Sequence, residues 1–295
     1  ICYDQQLCLE GYVQLWCECY NIETTTYVDL TGNQLTGEIP PEIGNLTNLR
    51  EIYIGNTNIT GGIPPEIGLL TDLEHLILES NQQMTGEIPS EIGNLTNLTW
   101  FDIEGCNITG EIPLEIGNLI NLQEFKLSDT MLTGEIPTEI GNLTNLEEFN
   151  LRGNNFSGEI PLTIWNMTNL EALRLDNNQF SGEIPSEVCS INFISVDNNQ
   201  FCAPFPDCIS EDDIFSQDFS NCVLLPLDCR DLEEVELWGQ YYNIETTTGL
   251  YLASNQLTGE IPSQIGCLTN LRYLHLSSNQ ITGSIPYEIG YLTNL

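Results

Sequence analysis

Basic residues are scarce in this chain of 295 residues, which holds six lysines and arginines against 43 aspartates and glutamates. The net charge of −37 excludes nucleic acid and anionic membranes as partners, because binding to phosphate groups requires a surface of the opposite sign. The chain also lacks an apolar run long enough to cross a membrane, so we expect no direct membrane insertion.

Catalytic signatures are missing as well. The sequence contains no G-x-S-x-G, no H-E-x-x-H, no phosphate loop and no dinucleotide fingerprint. Its two histidines, His75 and His275, occur in different repeats, and paired glutamates recur only because the repeat itself contains them. We therefore predict a non-enzymatic protein without an organic cofactor.

A 24-residue pattern close to L-x-x-N-x-L-T-G-E-I-P-x-E-I-G-N-L-T-N-L-x-x-L-x runs through most of the chain. A fixed period of this length is typical of a solenoid, in which each repeat packs only on its neighbours. Side chains at the asparagine position are expected to bond the turns above and below, so Cys106 there is interpreted as buried and unreactive. That position is held by Asn33, Thr57, Asn81, Cys106, Thr130, Asn154, Asn178 and Asn199, and later by Asn255 and Asn279.

Each repeat predicts one core strand, a second short strand and a turn. Leu49, Ile52 and Ile54 recur at the spacing of a strand whose alternate side chains enter a core, so Tyr53 faces an open surface. The L-T-G-E-I-P segment predicts the second strand, which Pro40 ends. The P-x-E-I-G-N-L-T-N-L segment then predicts a helical or 3₁₀ turn.

The L-T-G-x-I-P motif resembles that of the plant-type leucine-rich repeat found in receptor ectodomains and polygalacturonase-inhibiting proteins. The resemblance covers most of the chain. It implies an α/β repeat solenoid: a right-handed superhelix with a parallel strand face, short second strands, 3₁₀ or helical convex turns and cysteine-bearing caps. The motif is specific for the fold and weak for function, since one solenoid hosts many ligands.

The sequence also contains a second, longer repeat. Y-N-I-E-T-T-T occurs after both Trp16 and Trp238, at an offset of 222 residues. We predict a complete domain at 1–222, with an N-terminal cap at 1–26, repeats at 27–200 and a C-terminal cap at 201–222. A second domain starts at 223–295, with a cap at 223–248 and repeats at 249–295. Since the chain stops at Leu295 inside a repeat, we expect a piece of a longer tandem array, or else an artificial end.

The eleven cysteines concentrate near the predicted caps. Cysteines at the ends of a repeat domain favour disulfides, and hence a secreted, extracellular or cell-surface location. Resemblance to the family's C-terminal cap implies that Cys202 pairs with Cys208, whereas Cys267 occurs singly within a repeat and is interpreted as unpaired or linked to something outside the chain. The predicted disulfide residues are Cys2, Cys8, Cys202, Cys208, Cys222 and Cys229.

Departures from the repeat's own consensus at outward strand positions mark the candidate binding site. Aromatic and apolar side chains gather there in the second to fourth repeats, and basic ones follow. Aromatic residues and arginine are the usual anchors of interfaces, although scattered exposed residues are the alternative reading. The predicted ligand-binding residues on the concave strand face are Tyr53, His75, Ile77, Trp100, Asp102, Lys126, Arg152 and Arg174.

Glutamates recur at fixed positions of the repeat and form columns. Stacked repeats lie ~4.8 Å apart, which is inside the Debye length of ~8 Å, so these carboxylates repel each other. A solvated acidic face is the favoured interpretation. Weak Ca²⁺ binding is the alternative, and it would use Glu38, Glu87, Glu111 and Glu135. A zinc site at Cys17 and Cys19 is disfavoured because a second ligand pair is missing.

Three functions fit this sequence. The 222-residue repeat favours a segment of a tandem multi-domain surface stalk, adhesin or filament, in which copies join head-to-tail. The alternative is a receptor-like or inhibitor-like module that recognises a protein or glycan surface through the concave strand face. A minor alternative is ice binding by regular hydroxyl columns, the first of which contains Thr36, Thr60, Thr85, Thr109 and Thr133.

Overall fold

Short strands recur along the chain at the period of the sequence repeat. The structure is a computed structural model that describes residues 8–219, 229 and 232–295. Its strands are β1 (Tyr12–Leu15), β2 (Glu18–Asn21), β3 (Tyr27–Asp29), β4 (Thr36–Gly37), β5 (Glu51–Tyr53), β6 (Asn58–Ile59), β7 (His75–Ile77), β8 (Trp100–Asp102), β9 (Glu124–Lys126), β10 (Thr133–Gly134), β11 (Glu148–Asn150), β12 (Asn155–Glu159), β13 (Ala172–Arg174), β14 (Gln179–Glu183), β15 (Phe193–Ser195), β16 (Gln200–Cys202), β17 (Glu234–Leu237), β18 (Gln240–Asn243), β19 (Gly249–Tyr251), β20 (Thr258–Gly259), β21 (Tyr273–His275) and β22 (Gln280–Ile281).

The predicted helical turns are 3₁₀ helices, and most of them begin directly after the proline of L-T-G-E-I-P. This proline has an extended backbone, as at Pro40, and caps the start of the turn; the second strand β4 already ends at Gly37. One α-helix occurs in the described residues, α1 (Glu211–Phe215), where the Ser210 hydroxyl accepts the amide of Asp213. The 3₁₀ helices are Pro41–Asn45, Pro65–Leu69, Ser90–Asn94, Leu114–Asn118, Thr138–Asn142, Ile164–Asn166, Ser186–Ser190, Ser263–Cys267 and Tyr287–Tyr291.

The described residues divide into two compact units. The first holds the residues up to Ser181 together with Glu187–Val196, and the second holds Gly182–Ser186 and the residues from Asp197 to Leu295. The predicted domain boundary between residues 222 and 223 lies outside the described residues, so the domain limits stay a prediction.

The main sheet of the first unit has eight parallel strands in the order β15-β13-β11-β9-β8-β7-β5-β3. Each strand therefore pairs with the equivalent strand of the next repeat, and the register sets Phe101 opposite Phe125 and Phe125 opposite Phe149. These three rings stack at centroid distances of 5.6 and 5.4 Å inside the core. Narrower parallel pairings join β4 to β6, β10 to β12 and β12 to β14 on the second-strand side. The predicted solenoid of strands, second strands and 3₁₀ turns is confirmed.

The predicted ladder joins successive turns. The Asn154 amide donates to the carbonyls of Leu127 and Leu151, and its carbonyl oxygen accepts the amide of Leu132. Cys106 is buried at the same position and its thiol donates to the carbonyl of Leu78 at 3.1 Å. Burial raises the pKa of this thiol to about 11, so it is not a thiolate at neutral pH.

The second unit repeats the start of the first. Its hairpin pairs β17 with β18, and the parallel pairs β19-β21 and β20-β22 follow. One hydrophobic cluster joins the hairpin to the first 3₁₀ turn through Val235, Leu237, Ile265 and Leu268.

Disulfides lie near the caps, as expected, but one pairing was not anticipated. Cys8 bonds to Cys19, and Cys229 bonds to Cys267, so the interpretation of Cys267 as unpaired or externally linked is corrected. The reason is spatial, because the turn that carries Cys267 packs in the same core cluster as Cys229. Cys202 and Cys208 are also disulfide-bonded, and their mutual pairing stays a prediction. The predicted disulfide residues Cys2 and Cys222 lie outside the described residues.

Candidate ligand-binding face

Side chains that point away from the core form two columns across the eight-stranded sheet, and we call this surface the strand face. The middle residue of each strand faces inward and its two neighbours face outward; it is buried in all of these strands except β15, where Ile194 is half-buried. The first column is Tyr27, Glu51, His75, Trp100, Glu124, Glu148, Ala172 and Phe193. The second column is Asp29, Tyr53, Ile77, Asp102, Lys126, Asn150, Arg174 and Ser195.

Four rings stand next to one another on the first four strands of this face, and we call them the aromatic row: Tyr27, Tyr53, His75 and Trp100. Successive ring centroids are 5.7, 6.1 and 5.9 Å apart. Tyr53 Oη and His75 Nδ1 form a hydrogen bond of 2.7 Å. Burial and the charge of Glu51 raise the pKa of Tyr53 to about 12, so its hydroxyl keeps a proton to donate at neutral pH.

A lysine continues the aromatic row on the next strand. Lys126 Nζ lies 5.2 Å from the centroid of the Trp100 ring, which is cation–π distance. The same ammonium forms ion pairs with Glu124 at 2.7 Å and with Glu148 at 3.3 Å. Burial alone would lower the pKa of Lys126, but the hydrogen bond to Glu124 and the charge of Glu148 outweigh it and the pKa is raised.

Arginine occurs further along the face in two separate settings. Arg174 pairs with Glu148 at 3.7 Å, and its guanidinium lies 4.4 Å from the Phe193 ring centroid. Arg152 lies two residues beyond the second column and pairs with Asp176 at 3.3 Å. The structure therefore separates Arg152 from the group that sequence analysis placed it in, because β11 ends at Asn150.

Two predicted site residues form the floor of the face and are not accessible on it. Ile77 is 5% exposed, since Tyr53 and Asp102 flank it in the same column. Asp102 is 4% exposed because its carboxylate folds down and accepts the amide of Glu104 at 2.9 Å. Burial raises the pKa of Asp102 to about 6. The expectation that Ile77 projects openly is wrong, and Asp102 supports the turn after its strand.

Four residues of the face were not predicted from the sequence: Tyr27 belongs to the aromatic row, Glu124 and Glu148 form the ion pairs of Lys126, and Phe193 lies against Arg174. Tyr27 and Phe193 lie in the first and last strands of the sheet, where the repeat is least regular. The signal that could have found them is the strand register, because steps of one repeat from His75 and Trp100 lead along the first column to all four.

The glutamates proposed for weak Ca²⁺ binding are exposed, and each lies over the glycine of the next repeat. A Cβ atom at Gly110 would lie 2.8 Å from Glu87 Cγ, and one at Gly134 would lie 2.7 Å from Glu111 Cγ. Within the described part of the chain, no three His, Cys, Asp or Glu side chains are grouped as metal ligands. Calcium binding at Glu38, Glu87, Glu111 and Glu135 stays a prediction. It can be tested by comparing thermal unfolding in CaCl₂ and in NaCl of matched ionic strength.

The chain belongs to the leucine-rich repeat family. The Leucine Rich Repeat profile matches seven consecutive segments that together cover more than half of the chain, and a profile of two leucine-rich repeats matches residues 248–295. The seven segments are 24–46, 48–70, 72–95, 97–119, 121–143, 145–167 and 169–191. A comparison with curated protein sequences gave no match. No helix in the described residues is long and apolar enough to span a membrane.

Solved structures similar to the chain include plant receptor ectodomains. The plant peptide hormone receptor RGFR1 in complex with RGF2 is 31% identical, with a TM-score of 0.61 over 92% of this chain and 39% of the receptor. The ectodomain of the Arabidopsis thaliana receptor kinase GASSHO1/SCHENGEN3, in complex with CASPARIAN STRIP INTEGRITY FACTOR 2, is 32% identical, with a TM-score of 0.60 over 90% of this chain and 31% of that one. The chain thus spans between about three tenths and two fifths of these receptors. The predicted resemblance to plant-type repeats is confirmed.

Proposed function

We propose that this chain is an extracellular, non-enzymatic recognition module that binds an extended segment of a partner protein along the strand face. The observation that carries the proposal is the aromatic row and the lysine that follows it. Rings and a cation on five successive strands offer stacking and charged contacts at adjacent positions of the two columns: Tyr27, His75 and Trp100 in the first, and Tyr53 and Lys126 in the second.

Differences between the two units support recognition over a purely structural role. At the outward positions of the first two strands, Tyr27, Asp29, Glu51 and Tyr53 correspond to Gly249, Tyr251, Tyr273 and His275 at the offset of 222 residues. All four differ, whereas the inward-facing residues between them stay aliphatic. A stalk built from equivalent domains has no need to vary this face, but a binding surface does.

The similar plant receptors also support this proposal, since the two described above were solved with a bound partner. The disulfides Cys8–Cys19 and Cys229–Cys267 support an extracellular location, because such bonds persist in oxidising compartments. A tandem stalk, adhesin or filament with head-to-tail contacts has less support from these comparisons, and so does a glycan partner.

The proposal is tested by selecting peptides of about 12 residues from a random display library on the intact protein. The selected peptides should lose ~2 kcal/mol of binding free energy or more in Trp100→Ala and Lys126→Ala. Tyr12→Ala is the matched control, since this exposed tyrosine lies in the cap hairpin outside the strand face. Selected peptides whose affinity is the same in all three variants would contradict the proposal, as would binding of neutral oligosaccharides in place of peptides.

Ice binding is a second candidate with one supporting observation. A plant ice-binding protein is 25% identical to the chain, with a TM-score of 0.50 over 79% of this chain and 73% of that one. The threonine column lies along the second strands, but the hydroxyls of Thr109 and Thr133 donate to the carbonyls of Gly86 and Gly110. Because these hydroxyl groups already donate to carbonyls of the protein, they are not free to donate to ice, which is an argument against ice binding. Measurable thermal hysteresis in a dilute solution would favour it, and its absence would exclude it.

A further inference from the structure

The spacing of the aromatic row matches that of alternate residues in an extended ligand. Ring centroids of Tyr27, Tyr53, His75 and Trp100 follow one another at 5.7 to 6.1 Å. Alternate residues of a strand point to the same side and lie ~6.6 Å apart. A ligand that crosses the strands of the sheet can therefore set every second side chain against one ring.

The surroundings of the aromatic row are anionic. Asp29 and Glu51 flank the tyrosines in the two columns, and the Glu79 side chain lies over Gly55, where an added Cβ would be 3.0 Å from Glu79 Cγ. In the described residues, no lysine or arginine forms an ion pair with Glu51, Glu79 or Glu104. Excess negative charge is thus left beside the rings.

The cations nearest the row are already neutralised by the chain's own carboxylates. Arg50 pairs with Glu74 at 2.8 Å, and Lys126 is held by Glu124 and Glu148. Lys126 also displays the contact that a ligand cation would make, since its ammonium lies over Trp100 and meets carboxylates at the same time. Asp29 accepts the Tyr27 hydroxyl at 3.0 Å, and Glu51 lies 4.0 Å from His75 Nδ1. A cation placed over Tyr27 or Tyr53 would find a ring next to a carboxylate that no lysine or arginine of the described residues pairs with.

We propose that the ligand is a basic extended peptide segment, with arginine or lysine at alternate positions, whose cationic side chains lie over the aromatic row and face Glu51 and Glu79. This inference rests on the proposed function and specifies its ligand. The tyrosine rings add cation–π attraction, and the carboxylates add charge complementarity.

The test uses three synthetic peptides of about eight residues on the intact protein at ~0.15 M salt. One alternates arginine and serine, one alternates glutamate and serine, and one has the same arginines in a single block. We expect the alternating arginine peptide to bind more tightly than the block peptide, and the glutamate peptide not to bind. Tyr27→Leu and Tyr53→Leu, which keep an apolar side chain but remove the ring, should each weaken binding about tenfold.

Matched charge variants separate a specific contact from attraction to an acidic protein. Glu51→Gln with Glu79→Gln should weaken the alternating arginine peptide about tenfold. Glu111→Gln with Glu135→Gln removes the same charge from the second-strand side and should weaken it less than about threefold. Equal losses in the two double variants, or equal binding of the alternating and block peptides, overturn the inference.

Other outcomes separate this inference from the function on which it rests. If neutral or acidic peptides from the display library depend on Trp100 and Tyr53 while the arginine peptide does not, the recognition function stands and the basic ligand is rejected. If no peptide of any charge depends on either ring, both proposals fail. Thermal unfolding of each variant confirms that it is folded before its affinity is compared.

Discussion

The two cap hairpins of this chain, β1–β2 and β17–β18, have the same backbone turn, but their disulfides are in different places. Leu15 faces Glu18 across the first two-residue turn, and Leu237 faces Gln240 across the second. Both turns have positive φ at both positions, as a two-residue hairpin of this twist requires. Buried leucines hold each hairpin against the repeats, since Leu15 and Leu237 are fully buried.

The cross-links differ because cysteines have moved between equivalent positions. Cys19 in the first hairpin corresponds to Tyr241 at the offset of 222 residues, and Asn45 in the first 3₁₀ turn corresponds to Cys267. The first cap is therefore bridged within itself by Cys8–Cys19, whereas the bridge to Cys229 ties the second cap to its first repeat. This comparison indicates that turn and core specify the cap, and that the cross-link only stabilises it.

The largest expected effect comes from removing these bridges. The Cys8–Cys19 bridge spans 11 residues and the Cys229–Cys267 bridge spans 38, so loop closure alone stabilises by roughly 3 and 4 kcal/mol respectively. The double variant Cys229→Ala with Cys267→Ala should lose more stability than Cys8→Ala with Cys19→Ala. Cys17 stays disulfide-bonded in the first cap, and this increases the difference in lost stability between the two double variants.

Native-state hydrogen exchange of the two hairpins measures the loss of stability in each double variant, because it reports the opening free energy of each cap separately in the intact chain. Exchange in β17 and β18 should accelerate by several hundredfold in the second variant. An equal or larger acceleration in β1 and β2 of the first variant would show that loop length does not rank the two bridges.

The second expected effect is on the pH dependence of stability. The two units should differ in it because the first has a buried carboxyl group on its strand face. Asp102 lies on the strand face of the first unit, whereas the described strands of the second unit carry Gly249, Tyr251, Tyr273 and His275 there. Burial raises the pKa of Asp102 from 3.8 to about 6, so the folded state binds this proton more tightly than the unfolded state. Stability of the first unit should therefore rise as the pH falls from about 6 to about 4.

Asp102→Asn tests that effect, because asparagine can still accept the amide of Glu104 but does not ionise. It should stabilise the first unit at pH 7 by ~1–2 kcal/mol, less than the full pKa difference implies, since surrounding groups relax. At pH 4 the variant and the wild type should be equally stable. A variant that is less stable at pH 7 would show that the ionised carboxylate is required for the turn.

Much of this fold follows from the sequence, but the details of the face do not. Repeat period and turn residues predict the parallel strands, the second strands and the 3₁₀ turns, but not the cap hairpins or α1. The ladder of Asn154 follows from its position in the repeat. The Cys229–Cys267 pair could not be predicted, since it depends on which turn packs against the cap. Burial of Ile77 was missed because strand alternation gives the direction of a side chain and not the size of its neighbours. The contact of Lys126 with Trp100 depends on rotamers that pairing with Glu124 selects.

The third prediction transfers the outward residues of the second unit onto the first. Glu51→Tyr with Tyr53→His reproduces the Tyr273 and His275 pair on β5. Opening free energies should change by less than ~0.5 kcal/mol, as is usual for surface positions. Affinity for peptides selected on the wild type should fall about tenfold or more. Unchanged affinity would mean that the two units share one surface function, which favours the stalk.

The smallest effect concerns the turns of the two hairpins. Gly239 has a φ of 80° with nothing within 4 Å of an added Cβ, so a side chain there meets only backbone strain. Gly239→Ala should cost the second cap ~1 kcal/mol, seen as about fivefold faster exchange in β17 and β18. Gly239→Asn is the matched control and should cost less, because asparagine tolerates this conformation. If alanine and asparagine destabilised the cap equally, the cause would be a steric contact of the side chain and not backbone strain. The first hairpin, where Cys17 has a φ of 77°, should be unaffected by either change.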